Sequence, residues 1–429
     1  MKKTKIKSEM LDKVNYMCRC YMDRIARSSL YYDFVIDYER FRDVLVNAFE
    51  NVPILHARFV DNHINPYWLV SDDYTVDDLF TLIETDNMEA EVDRVLCEGI
   101  ELDSVVQYKT TVVTDGKTSW LITRWNHMIM DGGGFSQLIV DIFYNYNEYV
   151  KTGVIPGKYN KGQRSFELVY SDMSPEKAKK AKKQFASTAR REKLSLPFSK
   201  KGEGEDKVYF VRAALDKEIF DKARLVGKRY GATVNDILSA AYIDAFRKLT
   251  GYNKKLTLSC AIDLRRHMKE SLRTIGYTNY VAFMPCTVER ISDNILETLE
   301  MVVKSNKENK KDEFMGLHGL PLLKIAYSTM VYAQAEFIVK LFYSNANLAL
   351  STMGAVGVDY VKFGNRGPVD AYSAGAVKNK PCSLTTAVTI NGHLRLTMCI
   401  NATEKDKEMV ESFFELMKES VIEMAKFAE

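Results

Sequence analysis

Of the six histidines in the chain, His127 alone stands in a pattern with chemical content: His127-Met-Ile-Met-Asp131-Gly132, followed by Gly133, Gly134 and Phe135. A β-rich run from Thr118 to Trp125 ends just before it, and Phe135, Leu138, Ile139, Ile142 and Phe143 begin a helical stripe just after. His127 is therefore expected where a strand meets a loop, with its backbone held by a sheet and its imidazole free to reach a cavity. Imidazole titrates near neutral pH without a large perturbation, which suits a general base. Asp131 either orients that imidazole or organises the loop by pairing with a buried arginine, and the spacing leaves both roles open. Three glycines in a row would otherwise weaken a helix start, so Gly132 and Gly133 imply a backbone reason: unusual angles or a close approach. By itself such a pattern arises by chance in roughly one or two chains per hundred of this composition, so its context decides.

That context is an alternation of strand and helix signals. Tyr31 to Tyr38 is rich in aromatic and β-branched residues, and from Glu39 to Glu50 the residues Phe41, Val44, Leu45, Ala48 and Phe49 recur at helical spacing. Strands are expected at 54–60, 67–70, 105–114 and 118–125, the last two turned by Asp115-Gly116. Between Ser174 and Lys207 lies a run of lysines and arginines, including Arg190 and Arg191, then a Gly- and Glu-rich stretch. It reads as a solvated helix and connector, with a basic patch for a phosphorylated ligand or carrier as the alternative. A second α/β series follows, with strands at 208–215, 255–262, 346–351, 384–390 and 393–400 and a turn at Asn391-Gly392. Its helices are a buried one opened by Thr233 and Asp236 and stopped by Gly251, and a last one from Glu404 to about Ala428. The organisation implied is an N-terminal lobe over 1–170, a basic connector over 171–206 and a C-terminal lobe over 207–429.

Composition narrows the function classes. The chain of 429 residues carries 60 Lys plus Arg against 57 Asp plus Glu, a net charge of +3, which gives no global electrostatic case for nucleic acid or a membrane surface. Seven cysteines without regular spacing, of which Cys18 and Cys20 are one residue apart, suit reduced thiols in a cytoplasmic protein and neither a zinc knuckle nor a disulfide framework. The basic start lacks an apolar stretch and a cleavage site, and the uncharged segment 341–358 is broken by Ser, Asn and Gly, so no signal peptide or integral membrane segment is expected. His56, His63, His267, His318 and His393 show no partner spacing and read as structural. The 18 methionines and 24 tyrosines suit an adaptable apolar tunnel or simply core.

His127-Met-Ile-Met-Asp131-Gly132 resembles the His-x-x-x-Asp-Gly motif of the chloramphenicol-acetyltransferase-like acyltransferases, a superfamily that includes alcohol acetyltransferases, wax ester synthases and condensation domains. Segments 53–59, 231–238, 261–265 and 276–279 are similar to other segments of that family, in family order, and together span nearly the whole chain. The resemblance implies an α/β (α+β) fold of two lobes with a substrate tunnel between them and His127 at its centre. It further implies that His127 takes the proton of an alcohol or amine acceptor, which attacks the thioester of an acyl-CoA or an acylated carrier protein without a covalent enzyme intermediate. No permanently bound cofactor or metal is then needed, because acyl-CoA serves as substrate. Condensation domains and wax ester synthases usually carry two adjacent histidines, and Asn126 stands in place of the first. That favours a stand-alone CoA-dependent acyltransferase over a peptide-synthetase module, with a carrier-protein condensation enzyme and a non-catalytic binding protein as the alternatives. Segment 361–367 shares only Phe-Gly with the late element of the plant branch. For the partner of Asp131, Arg58 is placed ahead of Arg265, and Asn279, Ser351 and Thr352 are candidate oxyanion donors or tunnel residues.

Overall fold

The computed structural model describes residues 4–186, 193–200, 202–274, 276–343 and 345–428. Two sheets carry the architecture. The first runs Asp370–Ala374, Ile25–Tyr32, Ser119–Asn126, Tyr108–Thr114, Phe80–Glu84, antiparallel except for its last pair. The second runs Val281–Val288, Leu256–Asp263, Leu348–Ala355, Ser383–Ile390, His393–Ala402, and this last strand also pairs with Lys378–Asn379 and with Lys207–Leu215. A small third sheet joins Lys5–Lys7, Tyr67–Val70 and Ala57–Val60. The result is the two-lobed α/β arrangement expected, with the two halves of the chain interlocked at several places. Strand Asp370–Ala374, which lies within the second half, crosses over and completes the edge of the first sheet against Ile25–Tyr32.

Local chemistry explains most elements. Gly116 at φ +79 turns the hairpin between Tyr108–Thr114 and Ser119–Asn126, and Asp115 Oδ1 accepts the amides of Lys117 and Thr118. Asn391 and Gly392, at φ +51 and +88, do the same between Ser383–Ile390 and His393–Ala402. Helix Tyr38–Asn51 starts on the Asp37 side chain and buries the expected stripe of Phe41, Val44, Leu45, Ala48 and Phe49. Helix Val234–Thr250 opens with the Thr233–Asp236 capping box, closes on left-handed Gly251 and is buried nearly all round. Its Asp244 is balanced by Arg247, Lys248 and the hydroxyl of Ser420.

Three expectations differ. The strand read over Tyr31 to Tyr38 lies earlier, at Ile25–Tyr32, and Tyr38 already opens the helix capped by Asp37. Residues 54–60 are half strand: Pro53 opens a short helical turn through His56, and only Ala57–Val60 pairs. The basic stretch contributes one short helix, Pro175–Ala181, started by Ser174, while Arg190 and Arg191 lie outside the described residues. The C-terminal helix agrees with its expectation: it spans Glu404–Ala425, with one further turn to Ala428. Among the described residues no helix is long and apolar enough to cross a membrane.

Candidate active site

The loop that carries the motif is fastened at every step. Strand Ser119–Asn126 ends in a buried asparagine whose Nδ2 donates to Gln107 Oε1 at 2.7 Å and whose Oδ1 accepts the amide of Met128 at 3.0 Å. Asn126 thus pins the turn from beneath, pointing away from the cavity that His127 lines. The amide of His127 donates to the carbonyl of Arg24 at 2.7 Å. Trp125 stacks on Phe135 at 3.9 Å and 3° and donates its indole N–H to the carbonyl of Met130, so the strand and the following helix grip the loop between them.

Asp131 resolves in favour of the structural role. It caps helix Gly132–Thr152 by accepting the amide of Gly134 at 2.8 Å, accepts the amide of Tyr280 at 2.7 Å, and takes a two-pronged ion pair from Arg265 with both N···O distances at 2.9 Å. Arg265 also donates to the carbonyl of Thr278 and lies over the ring of Tyr280. Burial alone would raise the Asp131 carboxyl; the Arg265 guanidinium outweighs it and holds the group below the usual carboxylate range. The pair joins the two halves of the chain directly behind the motif. Arg58, placed first on sequence grounds, is exposed on strand Ala57–Val60 and takes no part: the sheet alternates sides, and burial of Ala57 and Phe59 turns Arg58 outward.

The glycines owe their place to close approach rather than to unusual angles. A Cβ on Gly133 would lie 2.5 Å from the Arg265 guanidinium, and one on Gly134 2.8 Å from the carbonyl of Thr278. Side chains there would push the ion pair apart. Gly132 meets the flexible tip of Met353 instead, and it lines the cavity.

His127 lies at one wall of a cavity of about 130 Å³ between the two main sheets. Trp125 and Ala26 come from the first sheet, and Ala261, Phe283 and Ser351 come from the second. Asn279, a candidate oxyanion donor or tunnel residue, lies against His127. Its Oδ1 accepts the amide of Val281, and its Nδ2 lies 2.9 Å from the His127 carbonyl and 3.1 Å from Nδ1, so the amide brackets the imidazole and its own peptide. Burial lowers the pKa of His127, the Asp131 carboxylate and a contact with the residue's own carbonyl oppose the shift, and Lys378 reinforces it. The imidazole is accordingly neutral at neutral pH. Of the other two candidates, Ser351 lines the cavity, whereas Thr352 faces away and donates to Asn235 Oδ1.

Two contributors escaped the sequence reading. Arg164 donates to both Asp12 oxygens, at 3.1 and 3.0 Å, and to the carbonyls of Ile129 and Met128 inside the motif loop. Asp12 is in turn held by the indole of Trp68 at 2.8 Å. Neither residue has a short-range pattern, since 152 positions separate Arg164 from Asp12. Lys378, from the two-residue strand that follows the crossover, lines the cavity with His127.

Comparisons with known proteins bear on the fold that carries this site. Solved structures similar to the chain over nearly its whole length include the first condensation domain of the calcium-dependent antibiotic synthetase in complex with a substrate analogue (14% identity, TM-score 0.69, 98% of this chain and 97% of that one). Polyketide synthase associated protein 5 from Mycobacterium tuberculosis is similar at 15% identity and TM-score 0.67, over 97% of this chain and 96% of that one. The trichothecene 15-O-acetyltransferase from Fusarium sporotrichioides is similar at 12% identity and TM-score 0.65, over 97% and 95%. At these identities the likeness is one of fold, a condensation-type acyltransferase fold. No curated protein sequence matches the chain. The model of the family described as the condensation domain matches residues 25–427, so the chain belongs to the condensation-domain family.

Proposed function

We propose that the protein transfers an acyl group from a thioester to an alcohol or amine, with His127 as general base. The observation that carries this reading is the place of the imidazole, at the wall of the cavity between the two sheets with its backbone fixed by the Arg24 carbonyl and the Asn279 amide. The ring is neutral, its Nδ1 lies against its own carbonyl and the Asn279 amide, and among the described residues no hydrogen bond reaches Nε2. In the tautomer that carries its proton on Nδ1, given to the residue's own carbonyl, the Asn279 amide donates to the His127 carbonyl rather than to the ring, and Nε2 offers a lone pair toward the cavity.

In this scheme Nε2 takes the acceptor's proton while the acceptor's oxygen or nitrogen attacks the thioester carbonyl. The tetrahedral oxyanion collapses, the C–S bond breaks, and the imidazolium returns the proton to the departing thiolate. No bond to the enzyme forms. Ser351, which lines the cavity from the facing sheet, would donate to the oxyanion. Asp131 and Arg265 act by holding the loop and the two halves in register, so that the reacting groups meet in a fixed geometry.

The donor is proposed to be a free acyl-CoA, with an acylated carrier protein as the second reading because the family's synthetase members act within such assemblies. The absence of a first histidine, Asn126 being buried on Gln107, supports the stand-alone reading. Thiol release from short to long acyl-CoAs with pooled alcohols and amines tests it. Acceptor-dependent release is expected in the wild type and a loss of about 100- to 10,000-fold in His127→Ala. Equal rates in both proteins remove His127 from the mechanism, and release only from acyl-carrier protein moves the donor to the second reading.

A further inference from the structure

The cavity beside His127 holds a cation that the reaction as drawn does not use. Lys378 is fixed from both sides: its backbone forms a bridge with Met22 and pairs with Ile400, and the preceding residue Val377 exchanges hydrogen bonds with Asp23. The Nζ points at the sulfur of Met22, 3.1 Å away, a weak acceptor for one of three N–H groups. Among the described residues no carboxylate pairs with it.

Every nearby candidate for a counter-charge is already committed or neutral. Asp23 accepts the amides of Ile25 and Val377 and a guanidinium N–H of Arg27 at 2.6 Å. Asp131, which also lines the cavity, is saturated by Arg265 and two amides. The thiols of Cys18 and Cys382 are pushed up by burial and stay protonated. Arg24, just behind His127, is a second buried cation without a carboxylate partner among the described residues; its NH1 reaches only the sulfur of Met128 at 3.5 Å, and its backbone is left-handed at φ +68. An ammonium held in such a setting carries a desolvation cost that the fold itself does not offset. Burial accordingly lowers the Lys378 pKa.

The charge that is missing is one a ligand can bring. We propose that Lys378 anchors a carboxylate group of the substrate in the cavity beside His127, making the protein selective for an acidic acyl donor or an acidic acceptor. The proposal rests on the reading of this cavity as an acyl-transfer site. The apolar surroundings, Ala26, Ala374, Ala376 and Leu384, lend the ion pair a low dielectric. A ligand carboxylate would accept from the two N–H groups of Lys378 that have no acceptor among the described residues.

Ligand-observed NMR with butyrate and its isostere butyramide tests the anchor without requiring turnover, in the wild type, His127→Ala, Lys378→Met and Lys378→Arg, with circular dichroism melts to confirm folding. Butyrate is expected to bind more tightly than butyramide by about tenfold in the wild type. The preference is expected to persist in His127→Ala and Lys378→Arg and to vanish in Lys378→Met, which should melt no lower than the wild type. Equal binding of the two probes, or a preference that survives in Lys378→Met, overturns the proposal; the second result is also what a lysine serving only a transient oxyanion would give. Thiol release then separates the sources. A Lys378-dependent KM for succinyl-CoA over butyryl-CoA puts the carboxylate on the donor, and one for β-alanine over β-alaninamide puts it on the acceptor. A carboxylate preference without any thiol release leaves the anchor standing and defeats the acyl-transfer reading, whereas release from neutral substrates without the preference does the reverse.

Discussion

Two charged groups face the same cavity and are treated in opposite ways. Asp131 is surrounded by donors: a guanidinium and two amides take up its oxygens, and nothing is left for a ligand. Lys378 is surrounded by a thioether, alanines and the neutral imidazole, and among the described residues two of its protons meet no acceptor. The contrast teaches how to sort charges at a site. A closed pair is architecture, and its energy is spent on holding loop and lobes together. An open charge costs stability that the folded chain alone does not return, which points outward to what binds.

The comparison is broken most forcefully at the closed side. Arg265→Ala leaves a buried carboxylate unpaired, and denaturant unfolding should show a loss of about 3–5 kcal/mol. The sign with pH follows from the depressed Asp131 carboxyl: the wild-type advantage is complete above the unfolded value of 3.8 and disappears as pH falls through the lower folded value. The open side should speak through His127. Because burial and Lys378 both lower its pKa, the acid limb of the rate profile should have its midpoint below 6.5, and Lys378→Met should move that midpoint upward by less than about one unit. A midpoint that stays put in the variant would separate the lysine from the imidazole. The smallest effect is expected at Arg58: Arg58→Ala should change stability by no more than about 0.5 kcal/mol and leave turnover intact, since that side chain lies on the exposed face of its strand.

How much of this was legible in the sequence depended on range. Hairpins at Asp115-Gly116 and Asn391-Gly392 and the capping box at Thr233 are written in neighbouring residues, and the structure has them where the pattern puts them. His127 could be singled out because strand, motif and helix are contiguous. The partner of Asp131 could not be chosen, since Arg58 and Arg265 look alike in one dimension and only the strand's alternation, which turns Arg58 outward, decides. Asn279 was found as a candidate site residue, but its contact with His127 was not, because it depends on a fold brought together over 152 positions. Lys378 had no local signal at all. It follows strand Asp370–Ala374, whose membership in the first sheet is a long-range pairing that neither hydrophobic period nor turn chemistry announces.

That crossing strand has a consequence for how the molecule can be taken apart. The segment that laces the two halves together continues directly into Ser373, Ala374, Gly375, Ala376 and Lys378, which form a wall of the cavity. Seam and pocket are one stretch of chain, so any opening between the lobes must drag the pocket wall with it. A gene cut at the connector would yield a first half whose strand Ile25–Tyr32 is an unprotected edge and a second half with a loose ribbon, neither able to hold the site. For anyone who wishes to graft or shuffle lobes among related proteins, the exchangeable unit is therefore not a contiguous half but a half together with residues 370–378 of the other.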